Sequence, residues 1–315
     1  MRKWGFIVGA LVVLAAGAVL PRTGMNAYIF YAGFVALQYV VIATGWNILG
    51  GYAGYVNFGS GAFAGAGTYA AIFLVNAIGA PLWVQVIGAA IVGALMGVGM
   101  GYLTLRIQGV YFSIATLALT VVLNTVIVNW PFVGGARGAT VLAPAAKGWF
   151  PSTVTYVFFA MLVLAVLSVA VARWIERSWI GRGLAAVRAD EKAAESAGVP
   201  TLKLKLLAAA ISGAIIAMAG APYPYYASYV EPSSAFSINY ALNALAMPLI
   251  GGTRSWVGPL IGALLLSGIE QAATVTIPSE VNLLIVGLVL IGFVVAAPDG
   301  ILRLFGGKLT ARKRT

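Results

Sequence analysis

The chain is 315 residues long, 61% hydrophobic and only 9% charged, with 19 basic against 8 acidic residues and a formal charge of +11. Soluble domains carry about 25% charged residues, so a soluble globular fold is excluded. The absence of cysteine and histidine removes disulfides, thiol and imidazole chemistry, and His or Cys metal sites.

Charge-free stretches at residues 23–105, 107–136, 148–172 and 206–230 each exceed the roughly 20 apolar residues of a membrane helix. In chain order, apolar runs between turn signals predict ten helices: about 4–21, 26–49, 57–78, 82–104, 110–130, 154–174, 204–228, 239–253, 257–276 and 281–298. The first follows Arg2-Lys3 and contains Ala16-Gly17-Ala18. That pattern is similar to a signal peptide, but its roughly 18 residues exceed the usual 7 to 15, so an uncleaved helix is expected.

Lys and Arg loops stay on the cytoplasmic side, which tests this count. With the N-terminus inside, sixteen basic residues fall on inner segments: Arg2, Lys3, Arg106, seven from Arg173 to Lys205, Arg254, and five from Arg303 to Arg314. Only Arg22, Arg137 and Lys147 fall outside. The expected fold is an all-α integral membrane protein of about ten transmembrane helices with both termini cytoplasmic. Residues 1–303 form a single transmembrane domain, and 304–315 a basic cytoplasmic tail. The positive charge reads as topology plus attraction to membrane lipid, and no nucleic-acid partner is expected.

Enzyme chemistry finds no equipment. Gly59-Ser60-Gly61 has no histidine to activate its serine, and the only aspartates, Asp190 and Asp299, lie in charged segments. No Gly-x-x-x-x-Gly-Lys-Ser/Thr occurs; Gly306-Gly307-Lys308 is followed by Leu309. No catalytic residue, metal or bound cofactor is expected on this chain, and if nucleotide energy is used another chain supplies it.

One long hydrophilic segment, 176–205, interrupts the apolar pattern. Within it Arg182–Ala197 reads as an alanine-rich helix with Leu184, Val187, Ala194 and Ala197 toward one side, stopped by Gly198 and Pro200. A solvated connector is the plain reading. The functional one is a helix inserted in a groove on a soluble partner, with Arg182, Arg188, Asp190, Glu191, Glu195 and Gly198 coupling that partner to the membrane.

These residues, Ile180-Gly181-Arg182-Gly183-Leu184 through Arg188-Ala189-Asp190-Glu191-Lys192 to Gly198-Val199, resemble the cytoplasmic coupling segment of branched-chain amino acid ABC permeases of the LivM type. Three further segments agree. Trp46 to Gly54 with Gly59, Ala62, Phe63 and Gly67 is similar to the family's Gly-rich element. Arg106-Ile107-Gln108-Gly109-Val110-Tyr111-Phe112 is similar to its approach to the fifth span. Gly251-Gly252 with Ser255, Trp256, Gly258, Pro259 and Gly262 is similar to its late glycine-tryptophan-proline element, and the outer Gly134–Gly138 also fits. Pro222, Pro224 and Arg254 depart from the pattern; the prolines are expected to break the seventh span near its outer end. The resemblance implies a second, LivH-like permease, two ATP-binding cassette ATPase subunits, a periplasmic substrate-binding protein, and a bacterial inner-membrane location.

Glycines bear two readings. They let helices touch, or, at Gly50, Gly51 and Gly54 and again at Gly251 and Gly252, they break helices and free backbone groups that a neighbour or a watery path must satisfy. Asn57, Thr116, Asn124 and Asn243 are candidates for a translocation path, with Glu270 the ionisable residue well inside a predicted span. One carboxylate without a basic partner is thin equipment for an ion-coupled carrier. An ATP-driven importer working by alternating access is therefore the expected function, against an ion-coupled secondary transporter or a non-transporting membrane scaffold.

Overall fold

The computed structural model describes residues 2–104, 110–141 and 149–276, together with 287, 288, 292 and 300–302. Nearly all of the predicted tenth helix, the basic tail and the Arg106–Gly109 approach lie outside the described residues. Eight helical stretches in the described chain are long and apolar enough to cross a membrane.

Helix α1 is Arg2–Val19 and α2 is Ala27–Asn47. Asn26 caps α2 by accepting from the Tyr28 amide at 3.0 Å, satisfying one of the four donors orphaned at a helix start. A π-helical turn, Ile48–Tyr52, carries α2 onward. There follow α3 (Ser60–Ile78), α4 (Leu82–Thr104), α5 (Val110–Val128) and α6 (Thr153–Arg177). Ser152 and Thr155 form a reciprocal capping box at the start of α6. Then come α7 (Trp179–Ala189), α8 (Glu191–Ser196), α9 (Thr201–Gly220), α10 (Tyr223–Ala227) and α11 (Pro232–Ala235). Last are α12 (Ile238–Gly251) and α13 (Val257–Thr276).

Three expectations need correction. The helix anticipated over Arg182–Ala197 is two helices, because Asp190 takes an extended conformation and caps α8. The eighth predicted span is α12, whose 14 residues rise about 21 Å, short of the ~30 Å hydrocarbon core. The all-α reading misses a two-residue ribbon in which Ala139 pairs with Val230 and Thr140 with Tyr229; the turns at Gly134–Gly138 bring these strands together. Pro222 and Pro224 do end α9 as expected, and the chain restarts as α10.

α2 is the central element. From Val40 through Ala53 every residue is buried, packed among α6, α9, α12 and α13. Glycine lets α4 and α9 approach closely: a Cβ on Gly93 or Gly97 of α4 would lie 2.3 Å from the Gly213 or Ala209 carbonyl of α9. In lipid, where no hydrophobic effect drives helices together, such backbone approach supplies the packing.

The two ends of the bundle carry different sets of described basic residues. Phe6 of α1 lies edge-on to Trp256 at 5.6 Å, with the Arg173 guanidinium 4.2 Å over Phe6. This end also holds the π turn, α7, α8 and the loop 252–256. At the opposite end Arg22 stacks on Trp149 at 3.5 Å, and Tyr229 donates to the Arg137 carbonyl at 2.7 Å.

Candidate functional site

The site is assembled where α2 stops being helical. Its π turn leads into an irregular stretch, 53–59, which folds back into the bundle before α3 begins. Buried backbone must be hydrogen-bonded, and here neighbouring side chains serve. The Trp46 indole donates to the Asn57 carbonyl at 2.7 Å, Ser113 donates to Val56 at 2.8 Å, Thr116 accepts from the Phe58 amide at 3.0 Å, and Asn57 accepts from the Gly59 amide at 2.7 Å. Asn57 and Thr116, both fully buried, thus hold the broken backbone. The segment 228–237, which holds one ribbon strand and α11, ends against the start of α3: a Cβ on Gly61 would lie 2.8 Å from the carbonyl of Ser237, the N-cap of α12.

The hydrophilic segment lies across this break. α7 buries Ile180, Leu184 and Val187 while exposing Arg182, Ala185 and Ala189; α8 buries Ala194 and exposes Lys192, Ala193 and Glu195. Arg188, at the last turn of α7, reaches back into the chain. Its guanidinium donates to the Gly51 carbonyl and, at 3.4 and 3.5 Å, to the Thr253 hydroxyl. The two glycine breaks are therefore joined through one side chain. Gly51 leaves no room for a side chain beside Asn47 and Thr253, and Gly54, at φ +82°, lies under Arg188. Gly50 gives way to the Trp46 ring, and Gly251 to the Gly258 backbone. Gly252 adopts φ +115° between α12 and the loop.

Glu191 also turns inward. Its carboxylate accepts from the Tyr55 hydroxyl at 2.5 Å and pairs with Lys205 Nζ at 2.5 Å, and that ammonium lies 3.2 Å from the same hydroxyl. Lys205 is 4% exposed and Glu191 18%. A buried ion pair needs such extra hydrogen bonds to offset desolvation. Burial, and then the hydrogen bond to Glu191, push the Tyr55 phenol well above its ordinary range. Burial, then the like charge of Arg254, lower the Arg188 pKa.

The remaining sequence candidates fall in different places. Asp190 caps α8 through the Ala193 amide at 3.0 Å, and Gly198, at φ +84°, turns the chain toward α9. Asn124 is half-buried on α5, its carbonyl oxygen unpartnered. Asn243 and Glu270 come together between α12 and α13, beside Tyr39 of α2. Sequence reading missed Tyr55, Thr253, Glu176 and Lys205. Glu176 accepts from the Trp256 amide at 2.6 Å. Tyr55 and Thr253 directly follow the glycine breaks at Gly54 and Gly252, and Glu176 and Lys205 bound the hydrophilic segment; those positions are the signals that could have found them.

Residues 28–294 match the family described as the permease component of branched-chain amino acid transport systems. The chain belongs to that family. It is similar to the high-affinity branched-chain amino acid transport system permease proteins LivM of Salmonella typhimurium and Escherichia coli, at 26% identity over 94% of this chain and 74% of each relative. It is also similar to the ribose import permease protein RbsC of Haemophilus influenzae, at 25% identity over 81% of this chain and 75% of the relative. A solved ABC transporter of metal-chelate type, in an inward-facing conformation, covers 93% of this chain and 99% of its own, with TM-score 0.47 and 18% identity. The permease is thus a multi-pass membrane protein.

Proposed function

We propose that this permease moves branched-chain or chemically related amino acids across the bacterial inner membrane, as one half of an ATP-driven importer. In this reading it pairs with a LivH-like permease, two ATPase subunits that hold ATP and Mg, and a periplasmic binding protein that docks on the outer loops around 131–153. One observation carries the coupling role: Arg188 joins the exposed α7–α8 segment to both glycine breaks at once. A displacement imposed on α7 by an ATPase subunit therefore reaches α2 and its π turn through Gly51, and the loop between α12 and α13 through Thr253. Buried pairing of Glu191 with Lys205 carries the same displacement into α9. Arg182, Glu195 and the small residues between them supply the docking face, while Asp190 and Gly198 shape it.

Within the membrane, Glu270 and Asn243 are the polar groups we assign to the amino-acid path, with Asn124 on α5 as a further lining residue. Asn57 and Thr116 support the wall of that path by holding the backbone at 53–59.

The test is uptake into proteoliposomes that contain the purified complex, with binding protein and radiolabelled leucine outside and ATP inside. Uptake that needs both ATP and the binding protein supports the proposal. Uptake by this chain alone, abolished by collapsing an ion gradient, would instead establish an ion-coupled carrier. ATPase binding without any uptake would leave a scaffold.

A further inference from the structure

Beside the Arg188 tether the surface opens into a cleft of about 490 Å³, bounded by α7, the π turn and the loop after α12. Three guanidinium groups line it, those of Arg182, Arg188 and Arg254, against the single carboxylate of Glu176. That carboxylate is already engaged by the Trp256 amide at 2.6 Å and the Tyr52 hydroxyl at 3.5 Å. Arg188 is satisfied by neutral acceptors alone, Gly51 and Thr253. Arg182 and Arg254 have no side-chain hydrogen bond or ion pair among the described residues. Like charges gathered around one cleft repel one another, and an anion placed among them relieves that repulsion.

The rim shows what kind of anion fits. Ala185 and Ala189 are exposed one turn apart on α7 and also line the cleft. Side chains this small let another polypeptide's backbone come close, so an acidic side chain from it reaches the guanidinium groups. Arginine forks match a carboxylate in bidentate geometry, which fixes register as well as adding attraction.

We infer that the cleft formed by Arg182, Arg188 and Arg254 receives an aspartate or glutamate side chain of the ATPase subunit when that subunit docks on α7. This rests on the importer reading above and adds to it the chemistry of the contact. It gives Arg254 a function, since no partner within the described chain explains that side chain. It also makes docking sensed at the tether, because the incoming carboxylate would compete with Gly51 and Thr253 for Arg188.

The experiment compares the wild-type complex in lipid nanodiscs with R254E and R182E/R254E permeases, measuring how much ATPase subunit is retained as salt is raised. Thermal unfolding of the permease pair serves as a check on folding. Expected is roughly tenfold weaker retention for R254E and a flatter salt dependence, as for loss of a close interfacial charge pair, with unfolding unchanged. Suppressors of R254E should map to an acidic residue of the ATPase replaced by Lys or Arg. Equal retention and equal salt dependence in wild type and both variants would overturn the inference while leaving the importer intact. So would variants that keep their ATPase but lose affinity for phosphatidylglycerol vesicles, since the anion is then a lipid phosphate. A wild-type permease that retains no ATPase at all would contradict the importer reading itself.

Discussion

Lys205 and Glu191 stand 2.5 Å apart, fourteen residues apart in sequence, with the ammonium almost wholly buried. The pair fastens the start of α8 to the second turn of α9, so the turn at 196–200 cannot swing independently of the bundle. Tyr55, donating to the same carboxylate, adds the irregular stretch after α2 to this unit. Removing one partner of a buried pair leaves an uncompensated charge, at a cost of about 3–5 kcal/mol. K205M is therefore expected to destabilise the permease by roughly that amount, and E191Q/K205M to recover part of it, as read by thermal unfolding in detergent. If K205M unfolds like wild type, the pair is not structural. Reversal of Glu191 thus disturbs the fold as well as any docking, whereas reversal of exposed Glu195 probes docking alone.

Tyr55 gives the same cluster a pH signature. Its phenol keeps its proton more firmly in the folded chain than in the unfolded one, whose ordinary value is 10.0. A pKa raised on folding stabilises the protein below the unfolded pKa, and that contribution is lost as pH climbs through and above it. Unfolding temperature measured from pH 8 to 11.5 should fall from about pH 10 upward. Y55F should show a shallower fall, and identical curves would rule out this role for the hydroxyl.

Arg188 is the link on which transmission depends. R188A removes hydrogen bonds of a charged donor, worth about 1.5–3 kcal/mol together with the geometry they fix. The expected outcome is ATP hydrolysis that persists but no longer rises when loaded binding protein is added, with uptake reduced roughly tenfold or more. R188K, a point charge without the fork, should restore little. Full coupling in R188A would mean that another contact carries the motion.

Much of this architecture was legible because the membrane demands long apolar runs and the positive-inside rule orders them. The spans at α2 to α6, the end of α9 before Pro222 and the two glycine breaks all carry local signals of that kind. The division of the segment at Asp190 was not legible, since the alanine-rich sequence on both sides favours helix and only the capping of the Ala193 amide by Asp190 shows the break. Tertiary direction was hidden too. Arg188 and Glu191 have the composition of a solvated face, yet each turns inward, toward Gly51 and Lys205. Asn57 and Thr116 stand out in the sequence for their polarity alone, and their hydrogen bonds to the 53–59 backbone are visible only in the fold.

Close packing of α4 on α9 supplies a test of the glycine reading. A side chain at Gly97 would collide with the Ala209 carbonyl, backbone that cannot move aside, and overpacking costs about 1–3 kcal/mol or more. G97L should lower the unfolding temperature and the yield of assembled complex, whereas G99L, at a position with open space, should not. Equal tolerance of both would remove the packing role.

In the importer reading, α7 and α8 form a handle held by a motor in the cytoplasm. Because the chain has no cysteine of its own, a single one placed at exposed Ala193 reports sidedness directly. A membrane-impermeant maleimide should label A193C in inside-out vesicles only, and bound ATPase subunits should protect it. Labelling confined to intact spheroplasts, from the periplasmic face, would contradict the account.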